Sequence, residues 1–471
     1  MLNTFANLSE LSSEQKDELI GKLLALLEQQ NRRIAELEER LKQNSSNSSK
    51  PPSSDGFVKK TKSLRRASGK KVGGQKGHAG RSLRQTPDPD ETIILDVPTR
   101  CKACGEALSE KPAAIVETRQ VFDIPVRQYE VTAYCAQEVV CQCGCKNRSP
   151  FPFGVVGPTQ YGPHIRAFGV YLTQQQLLPY ARAAEVIESL YGLSVASASL
   201  PRWVREASHA LEPTVAEIAQ RIKASEVVGA DESGIRVEGK LYWLHTAVTA
   251  QYTWYGVHVK RGFEALEAFE VLTGFEGILV HDCLRTYWQL DSTHALCNAH
   301  LLRELQFVMD TAEQTWASEL FALLNAACKA KNEALAQQQN VPEEIRMDFE
   351  KRYLKWVAEG LSENPAVEKA QGKKGRAKQS FAHNLLCRLQ AHHEAILRFL
   401  ANTHVPFTNN LAEQAIRMPK VKIKIAGCFR SRSGAEDFAA YRTYSDTLRK
   451  QGISLFHALC SLFRGTVVQP L

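Results

Sequence analysis

The segment 227-VVGADES-233 joins a short apolar run to two adjacent acids, Asp231 and Glu232. Val227 and Val228 are β-branched, which predicts a buried strand that carries charge at its end. Acidic side chains are rarely buried unless something pairs with them. The segment therefore predicts a central strand of a sheet and a functional carboxylate, Asp231.

A second segment of the same kind follows. The sequence 277-GILVHDC-283 predicts another apolar strand, and it ends in Asp282. Two aspartates at strand ends of one sheet can meet in one cleft, where carboxylates bind a hard cation. Glu413 is the candidate third acid, because Asn409 and Asn410 predict a helix start that places it in the first turn.

Three carboxylates predict a site for Mg²⁺ or Mn²⁺ rather than for zinc, since these cations prefer oxygen ligands. Such a site holds two ions, one for the attacking oxygen and one for the leaving oxygen of a phosphoryl displacement. Each acid also has a structural interpretation. Asp282 could cap a helix, and Glu413 could favour a helix dipole or pair with Arg417.

The pattern around these acids predicts a mixed sheet with helices on its faces. Three strand-like segments form a meander, with a turn at Glu238 and Gly239. A helix at 264–272 follows, then the strand that ends at Asp282, and then a short strand within 292–300 that leads into a helix. The predicted order is β-β-β-α-β-α-β-α.

The segment 301–400 is almost entirely helix-forming. We therefore predict a helical region after the sheet. A C-terminal helix and tail are predicted at 451–471.

The chain has 471 residues, which predicts about two to four domains. Its net charge of +8 is unevenly distributed, because ten Lys or Arg and no acids lie between Gly56 and Pro87. This block indicates a polyanion partner such as DNA, and a solvated disordered linker at 45–90 is an equal interpretation. The candidate DNA-binding residues, in this block and after Glu413, are Lys70, Lys71, Lys76, Arg81, Arg417, Lys420, Lys422, Lys424 and Arg430.

Six of the twelve cysteines lie between Cys101 and Cys145. The N-terminal sequence has no signal-peptide pattern, and no apolar run reaches the ~18 residues of a membrane span. We therefore expect a cytoplasmic protein without a membrane partner, in which clustered cysteines favour a metal over disulfides. The β-rich segment 91–150 predicts a zinc ribbon with structural Zn²⁺, and free thiols are the alternative. The candidate ligands are Cys101, Cys104, Cys141 and Cys143, with Cys145 or Cys135 as substitutes.

Two helical regions precede the sheet. Residues 13–44 predict a helix with a heptad seam, which favours self-association as a coiled coil or packing on the same chain. The seam residues are Ile20, Leu23, Leu27, Gln30, Ile34, Leu37, Leu41 and Asn44. Residues 151–222 predict helices with a break at Gly192, which is compatible with a DNA-reading helix-turn-helix and equally with packed helices that bind no DNA.

Segments along nearly the whole chain resemble the IS66 family of bacterial insertion-sequence transposases. They are NSSKPPSSDG, GGQKGHAGR, the cysteine module, FPFGVVGPTQYGP, LLPYAR, GADES, HDCLRTYW, CNAHLLREL and TNNLAEQAIR. The resemblance implies a DDE enzyme with an RNase H-like catalytic domain at 223–450, in which Asp231, Asp282 and Glu413 are the catalytic acids. It also implies that the helical stretch at about 305–402 is an insertion into that fold. Cys297 and His300 match a CxxH element of several DDE families, for which buried packing is an equal interpretation.

Two departures from the family pattern are visible. The first acid lies in ADES, where family members often have DET, and Ser233 keeps the hydroxyl group. The segment after Glu413 lacks the GRKN stretch of many members and is similar to that of a subgroup of the family. A requirement for an auxiliary protein therefore does not follow from the resemblance.

The resemblance thus predicts a multidomain α+β enzyme that binds double-stranded DNA at transposon ends and at the target. It would cleave and transfer DNA strands with Mg²⁺, as a nucleoid-associated homo-oligomer joined through its N-terminal helix. Two other classes remain compatible with the residues. One is a DNA-binding regulator with an inactive catalytic domain, and the other is an RNase H-like nuclease without strand transfer.

Overall fold

The structure is a computed structural model that describes residues 12–44, 47, 84–96, 98–107, 114–122, 129–152, 154–312, 314–368 and 377–471. The chain divides into two compact units, Met1–Ser63 with Thr132–Leu471 and Leu64–Val131. Each unit is described by itself. The candidate DNA-binding residues Lys70, Lys71, Lys76 and Arg81 lie outside the described residues.

Seven strands form two sheets within the larger unit. Two short exposed strands, β1 (Glu138–Val140) and β2 (Lys146–Arg148), make an antiparallel pair. The other five strands are β3 (Val227–Val237), β4 (Lys240–Val248), β5 (Thr253–His258), β6 (Ile278–His281) and β7 (Thr293–Leu296). They form one mixed sheet in the order β5-β4-β3-β6-β7. The first three are antiparallel neighbours, and β6 is parallel to both β3 and β7.

The α-helices of the described residues, in chain order, are α1 (Ser13–Lys42), α2 (Pro163–Val170), α3 (Tyr180–Tyr191), α4 (Ser199–Lys223), α5 (Phe263–Phe269), α6 (Asn298–Ala312), α7 (Thr315–Ala336), α8 (Glu343–Glu363), α9 (Phe381–Ala391), α10 (His393–Ala401), α11 (Asn410–Ala426), α12 (Arg432–Lys450) and α13 (Leu455–Phe463). The π-helical segment Tyr171–Gln175 continues α2. Together with the mixed sheet, these helices confirm the predicted α+β class.

The turn of the predicted meander is confirmed. Val237 pairs with Lys240, so Glu238 and Gly239 form a two-residue loop between β3 and β4. Both residues have positive φ, 52° and 75°. Two positive φ values are typical of a type I′ turn, whose twist matches that of the strands it joins.

Two predictions about the sheet were wrong. The strand β3 does not end at its acids but continues through Asp231 to Val237. The parallel pairing of β3 with β6 ends at Gly229, close to Asp231. The predicted helix between β6 and β7 is a single 3₁₀ turn, Tyr287–Gln289, because this connection is shorter than the dozen or so residues that a helical crossover needs.

Alternate residues of β3 face different helices, as strand geometry requires. Val228 and Ala230 pack with residues of α4 and α5 on one face of the sheet. Ile235 and Val237 pack with residues of α11 and α12 on the other face. By this alternation, Asp231 lies on the face that α11 covers.

The helices α6 to α10 lie between β7 and α11 in sequence, which agrees with the prediction of a helical insertion. They have a core of their own, with buried Trp316, Leu320, Tyr353 and Leu386. The core continues onto the sheet through Val280 and neighbouring residues of β7. The insertion is therefore packed on the same edge of the sheet that carries Asp282.

The helix pair before the sheet also agrees with the sequence. The helix α3 ends at Tyr191, and Gly192 follows with a φ of 69°. The helix α4 starts at Ser199, and one side of it packs with α2, α3, α12 and α13. A role of this pair in reading DNA stays a prediction.

The N-terminal helix α1 exposes its apolar residues. Ile20, Leu23, Leu27 and Ile34 of the heptad seam are 53%, 42%, 57% and 52% exposed. None of the residues that the structure describes covers this part of the seam. Across the described ranges, every helix is too short or too polar to cross a membrane.

The cysteine-containing segment is less regular than predicted. Among the described residues of the β-rich segment 91–150, only the short β1 and β2 are strands. Alternating apolar residues determine which way side chains point, but a strand also needs a partner for its backbone N–H and C=O groups.

A buried ion pair within α12 is linked to the sheet by a tyrosine of β5. The Arg442 guanidinium donates to both oxygens of Asp446 at 2.7 and 2.8 Å. The hydroxyl of Tyr255 on β5 donates to the same carboxylate at 2.7 Å. Arg442 and Asp446 are 1% and 3% exposed, so neither charge is compensated by water.

We expect Asp446→Ala to lower the free energy of unfolding by about 3–5 kcal/mol, because it leaves the Arg442 charge buried without a partner. Arg449→Ala is the matched control. Arg449 lies 3.5 Å from Asp446 with its side chain 65% exposed, and its loss should cost under about 1 kcal/mol. Denaturant unfolding followed by tryptophan fluorescence measures both. Equal effects of the two variants would contradict the prediction.

Candidate active site

Asp231 lies in the middle of β3, opposite Thr246 of β4. The parallel register pairs Gly229 with Val280, and two further residues along each strand place Asp231 beside Asp282. Neighbouring strands lie about 4.8 Å apart. The end of the β3–β6 pairing therefore brings two acids together, although β3 itself continues.

Asp282 directly follows β6, as predicted. Ile278 and Val280 pack with the core of the helical insertion, so alternation places Asp282 on that same face. The Oδ1 atom of Asp282 accepts a hydrogen bond from the N–H of Leu284 at 3.1 Å. This bond fixes the carboxylate in the loop after the strand.

Glu413 lies in the first turn of α11, whose N-cap residue is Asn409. An acid at this position is stabilised by the helix dipole. The Asn409 side chain does not cap the helix. Instead its Nδ2 donates to the carbonyl of Ala230 at 2.7 Å, which fixes the start of α11 beside Asp231.

Gly229 makes this close approach possible. A Cβ at Gly229 would lie 2.5 Å from Oδ1 of Asn409 and 3.7 Å from the Cβ of Ala412. No side chain at this position of β3 could coexist with the observed contact. The glycine of the GADES segment is therefore required by packing against α11.

The electrostatics of the site agree with this geometry. The pKa of Asp231 is raised from its ordinary 3.8 to about 8, mainly by burial and then by the charges of Glu232, Asp282 and Glu413. A hydrogen bond from the N–H of Glu232 opposes the shift. The charges of Asp282 and Glu413 therefore both act on Asp231, although Glu413 comes much later in the sequence.

Glu232 has a different role from that of its neighbour. It faces the opposite side of the sheet, where Arg261 donates to its Oε1 at 3.0 and 2.7 Å and Tyr287 donates to its Oε2 at 2.7 Å. Burial, followed by the charge of Asp282, raises the pKa of Glu232, and Tyr287 and Arg261 oppose that shift. The charge of Glu232 is paired, which leaves Asp231 as the acid available to a ligand.

A pocket next to the acids contains residues that the sequence alone does not bring together. It is lined by Asp282, Cys283, Leu296, Cys297, His300, Leu301, Glu304 and Arg388. Arg388 from α9 forms an ion pair with Glu304 of α6. The CxxH spacing of Cys297 and His300 gives a local signal for two of these residues, whereas no sequence pattern connects Arg388 to the site.

The basic residues after Glu413 lie on α11 and just beyond it. Arg417, Lys420, Lys424 and Arg430 are exposed. Lys422 is half-buried, and its Nζ donates to the carbonyl of Thr173 at 3.4 Å. Burial lowers the pKa of Lys422, so its amine is less available to solvent than those of its neighbours.

Cys101 and Cys104 lie in a tight turn of the smaller unit, and Cys141 and Cys143 lie in a tight turn of the larger unit. In the smaller unit, Gly105 N–H donates to the carbonyl of Cys101, and backbone N–H groups of Cys104 and then Ala103 lower the pKa of the Cys101 thiol. In the larger unit, Gly144 N–H donates to the carbonyl of Cys141. The backbone N–H of Cys143 lowers the pKa of the Cys141 thiol.

Both turns contain a glycine at positive φ, 77° at Gly105 and 81° at Gly144. In each turn a hydrogen bond also links the two cysteine side chains, Cys101 with Cys104 and Cys141 with Cys143. The pairs named from the sequence are therefore local neighbours within their own turns. Amide groups directed at a thiol favour the thiolate, which is the form that binds metal.

The three-carboxylate site suits a hard divalent cation. Its donor atoms are carboxylate oxygens, which Mg²⁺ and Mn²⁺ prefer. Asp231 is half-buried near other acids, and a bound cation would offset the repulsion between their charges. The donor type of the three acids therefore fits the metal that the sequence predicts. Among the described residues, however, the group whose ligand atoms all lie within 4.8 Å of one another is Cys297, His300 and Glu413, not the three acids.

Residues 158–437 match the family described as the Transposase IS66 family, and this range is more than half of the chain. Residues 5–84 match a family of unknown function, DUF6444. No curated protein matches the chain.

The raised pKa of Asp231 predicts a pH dependence of stability in metal-free protein. Between about pH 4, the ordinary pKa of an aspartate, and pH 8, the folded state holds a proton that the unfolded state has released. Stability should therefore fall as pH rises through this window. Asp231→Asn should remove this contribution to the loss of stability. At pH 8, in the presence of a chelator, the variant should therefore have a higher melting temperature than wild type.

The control for this measurement is Asp291→Asn, which changes an exposed acid. Melting temperatures at pH 5 and pH 8 are compared for the three proteins. If Asp231→Asn loses as much stability between these pH values as wild type does, the assignment of the buried proton to Asp231 is wrong.

Proposed function

We propose that this chain, which belongs to the IS66 family of transposases, cuts DNA at transposon ends and transfers the freed strand to target DNA. The observation that carries the proposal is the electrostatic coupling of Asp231 to both Asp282 and Glu413. These acids come from two strands and a helix on one face of the mixed sheet. We further propose that the sheet and its helical insertion form an RNase H-like catalytic domain.

Asp231, Asp282 and Glu413 would hold the catalytic Mg²⁺ ions. Bound there, divalent ions activate an attacking oxygen and stabilise the leaving oxygen of an in-line phosphoryl transfer. The chain's contribution is positioning, which dominates this chemistry. The Asn409 side chain holds Glu413 beside β3, and the paired Glu232 keeps β3 neutral on its opposite face.

The basic residues supply the contacts to the DNA backbone in this proposal. Arg417, Lys420, Lys424 and Arg430 are exposed on or just after the helix that carries Glu413, so a phosphate bound there would lie near the acids. Lysine and arginine contacts to phosphate give affinity without sequence information. Lys70, Lys71, Lys76 and Arg81 would extend the same interaction along the duplex, and the cysteine turns would bind structural Zn²⁺.

Asp231→Asn, Asp282→Asn and Glu413→Gln should each lower Mg²⁺-dependent cleavage of a transposon-end duplex by at least about 10³-fold. The bound metal supplies several kcal/mol of transition-state stabilisation, which corresponds to that factor. DNA binding, measured by fluorescence anisotropy, should change little. Asp291→Asn is the exposed-acid control and should cleave at the wild-type rate.

The same assay separates the competing functions. Wild-type protein that binds the ends but never cleaves them with Mg²⁺ or Mn²⁺ would be a DNA-binding regulator. Cleavage without joining of a pre-cleaved 3′ end to target DNA would indicate an RNase H-like nuclease. Joining that depends on the three acids supports the transposase.

We also propose that the chain assembles through α1. The seam residues Ile20, Leu23, Leu27 and Ile34 are exposed, and a heptad seam is buried when two such helices pair. Pairing two catalytic domains would let one assembly hold two DNA ends.

Leu27→Asp should therefore reduce the mass of the assembly, because it places a charge in the seam. Leu24→Asp is the matched control, since Leu24 is as exposed as Leu27, at 57% each, but lies outside the seam. Sedimentation velocity measures both variants beside wild type. A monomeric wild type, or equal dissociation by the two variants, would rule out assembly through this seam.

A further inference from the structure

Three side chains of different chemistry meet at the edge of the acidic site. Cys297 follows β7, His300 lies in the first turn of α6, and Glu413 lies in the first turn of α11. Their ligand atoms all lie within 4.8 Å of one another. The Cys297 Sγ and the His300 Nδ1 are 3.9 and 3.8 Å from Oε1 of Glu413.

The surroundings of this cluster leave the ligand atoms of Cys297 and His300 available to a metal ion. Cys297 is 1% exposed. The Nδ1 atom of His300 is buried and has no hydrogen-bond partner, which is unusual for a buried polar atom in a native structure. The backbone N–H of Asn409 donates to the Cys297 Sγ at 3.1 Å, and such a bond stabilises a thiolate.

We propose that Cys297, His300 and Glu413 bind a zinc ion. A thiolate and an imidazole select zinc over Mg²⁺, and a carboxylate is a common third ligand. On binding, the Cys297 thiol releases its proton to solvent as the Sγ–Zn bond forms. Three protein ligands leave the fourth position open.

The geometry needs little change to accept the ion. With bonds of about 2.0–2.3 Å in a tetrahedral site, ligand atoms lie roughly 3.3–3.5 Å apart. The Sγ–Oε1 and Nδ1–Oε1 distances are 3.9 and 3.8 Å. Movements of about half an ångström, within the range of side-chain rotation, would bring these atoms to the required separation.

The site has a consequence for activity that rests on the proposed function, whereas the zinc site itself does not. Glu413 is a ligand in both sites, and its carboxylate cannot serve zinc and the catalytic Mg²⁺ equally at the same time. Zinc bound to Cys297 and His300 therefore withdraws the third acid and inhibits DNA cleavage.

The zinc site is tested by metal stoichiometry in the full chain, stripped of metal and reloaded with Zn²⁺. Because other cysteines also bind zinc in our proposal, variants are compared with wild type. Cys297→Ser and His300→Gln should each hold one zinc fewer per chain. Cys460→Ser, which changes a buried cysteine outside the cluster, should hold the wild-type number.

Loading with Co²⁺ gives a second measurement of the same site. Cys297→Ser should lose the thiolate–cobalt charge-transfer absorption of one sulfur, and Cys460→Ser should lose none. Should Cys297→Ser fail to fold, His300→Gln decides the question, because it removes the ligand nitrogen at a partly exposed position. Wild-type stoichiometry in His300→Gln overturns the zinc site.

Inhibition is then measured as the ratio of cleavage rates with and without Zn²⁺ at fixed Mg²⁺, within each protein. His300→Gln should need at least about tenfold more zinc than wild type for half-inhibition. An unchanged zinc requirement overturns the inhibitory role. If no protein cleaves DNA at all, the proposed function fails, but the stoichiometry still decides whether zinc binds.

Discussion

A hydrogen bond from the Asn409 amide to the carbonyl of Ala230 joins two parts of the chain that are far apart in sequence. It fixes the first turn of α11 against β3, and Gly229 has no side chain to prevent this approach. Together with the packing of α11 on Ile235 and Val237, this contact sets the position of Glu413 relative to β3. The candidate site therefore depends on one buried amide as much as on its acids.

Around this contact, the sheet separates two adjacent acids by the alternation of the strand. Glu232 points to the face where Arg261 and Tyr287 pair with it. Asp231 points to the other face, and burial, followed by the charges of nearby acids, raises its pKa. Burying a charge is tolerated when it is paired, and an unpaired buried acid is a common mark of a functional site. The two faces of the sheet thus distinguish Glu232, whose charge is paired, from Asp231, which we propose as a ligand for a cation.

The helical insertion allows the third acid to come late in the sequence. Because α6 to α10 form their own core, they can lengthen the chain between Asp282 and Glu413 without disturbing the sheet. The start of α6 also brings Cys297 and His300 close to the Glu413 carboxylate. If Glu413 serves as the third acid of our proposal, its contact with a thiol and an imidazole offers one carboxylate to two metals of different chemistry.

Local patterns in the sequence determined much of this protein: the meander with its Glu238–Gly239 turn, the strand before Asp282, the helical insertion and the start of α11 at Asn410. These features depend on residues close together in the chain, so periodicity and turn chemistry are sufficient to predict them. The extension of β3 beyond Asp231, the contact between Asn409 and Ala230, and the approach of Arg388 and His300 to the acids were decided by tertiary structure. Each depends on which distant segments pack together, and no local pattern specifies that.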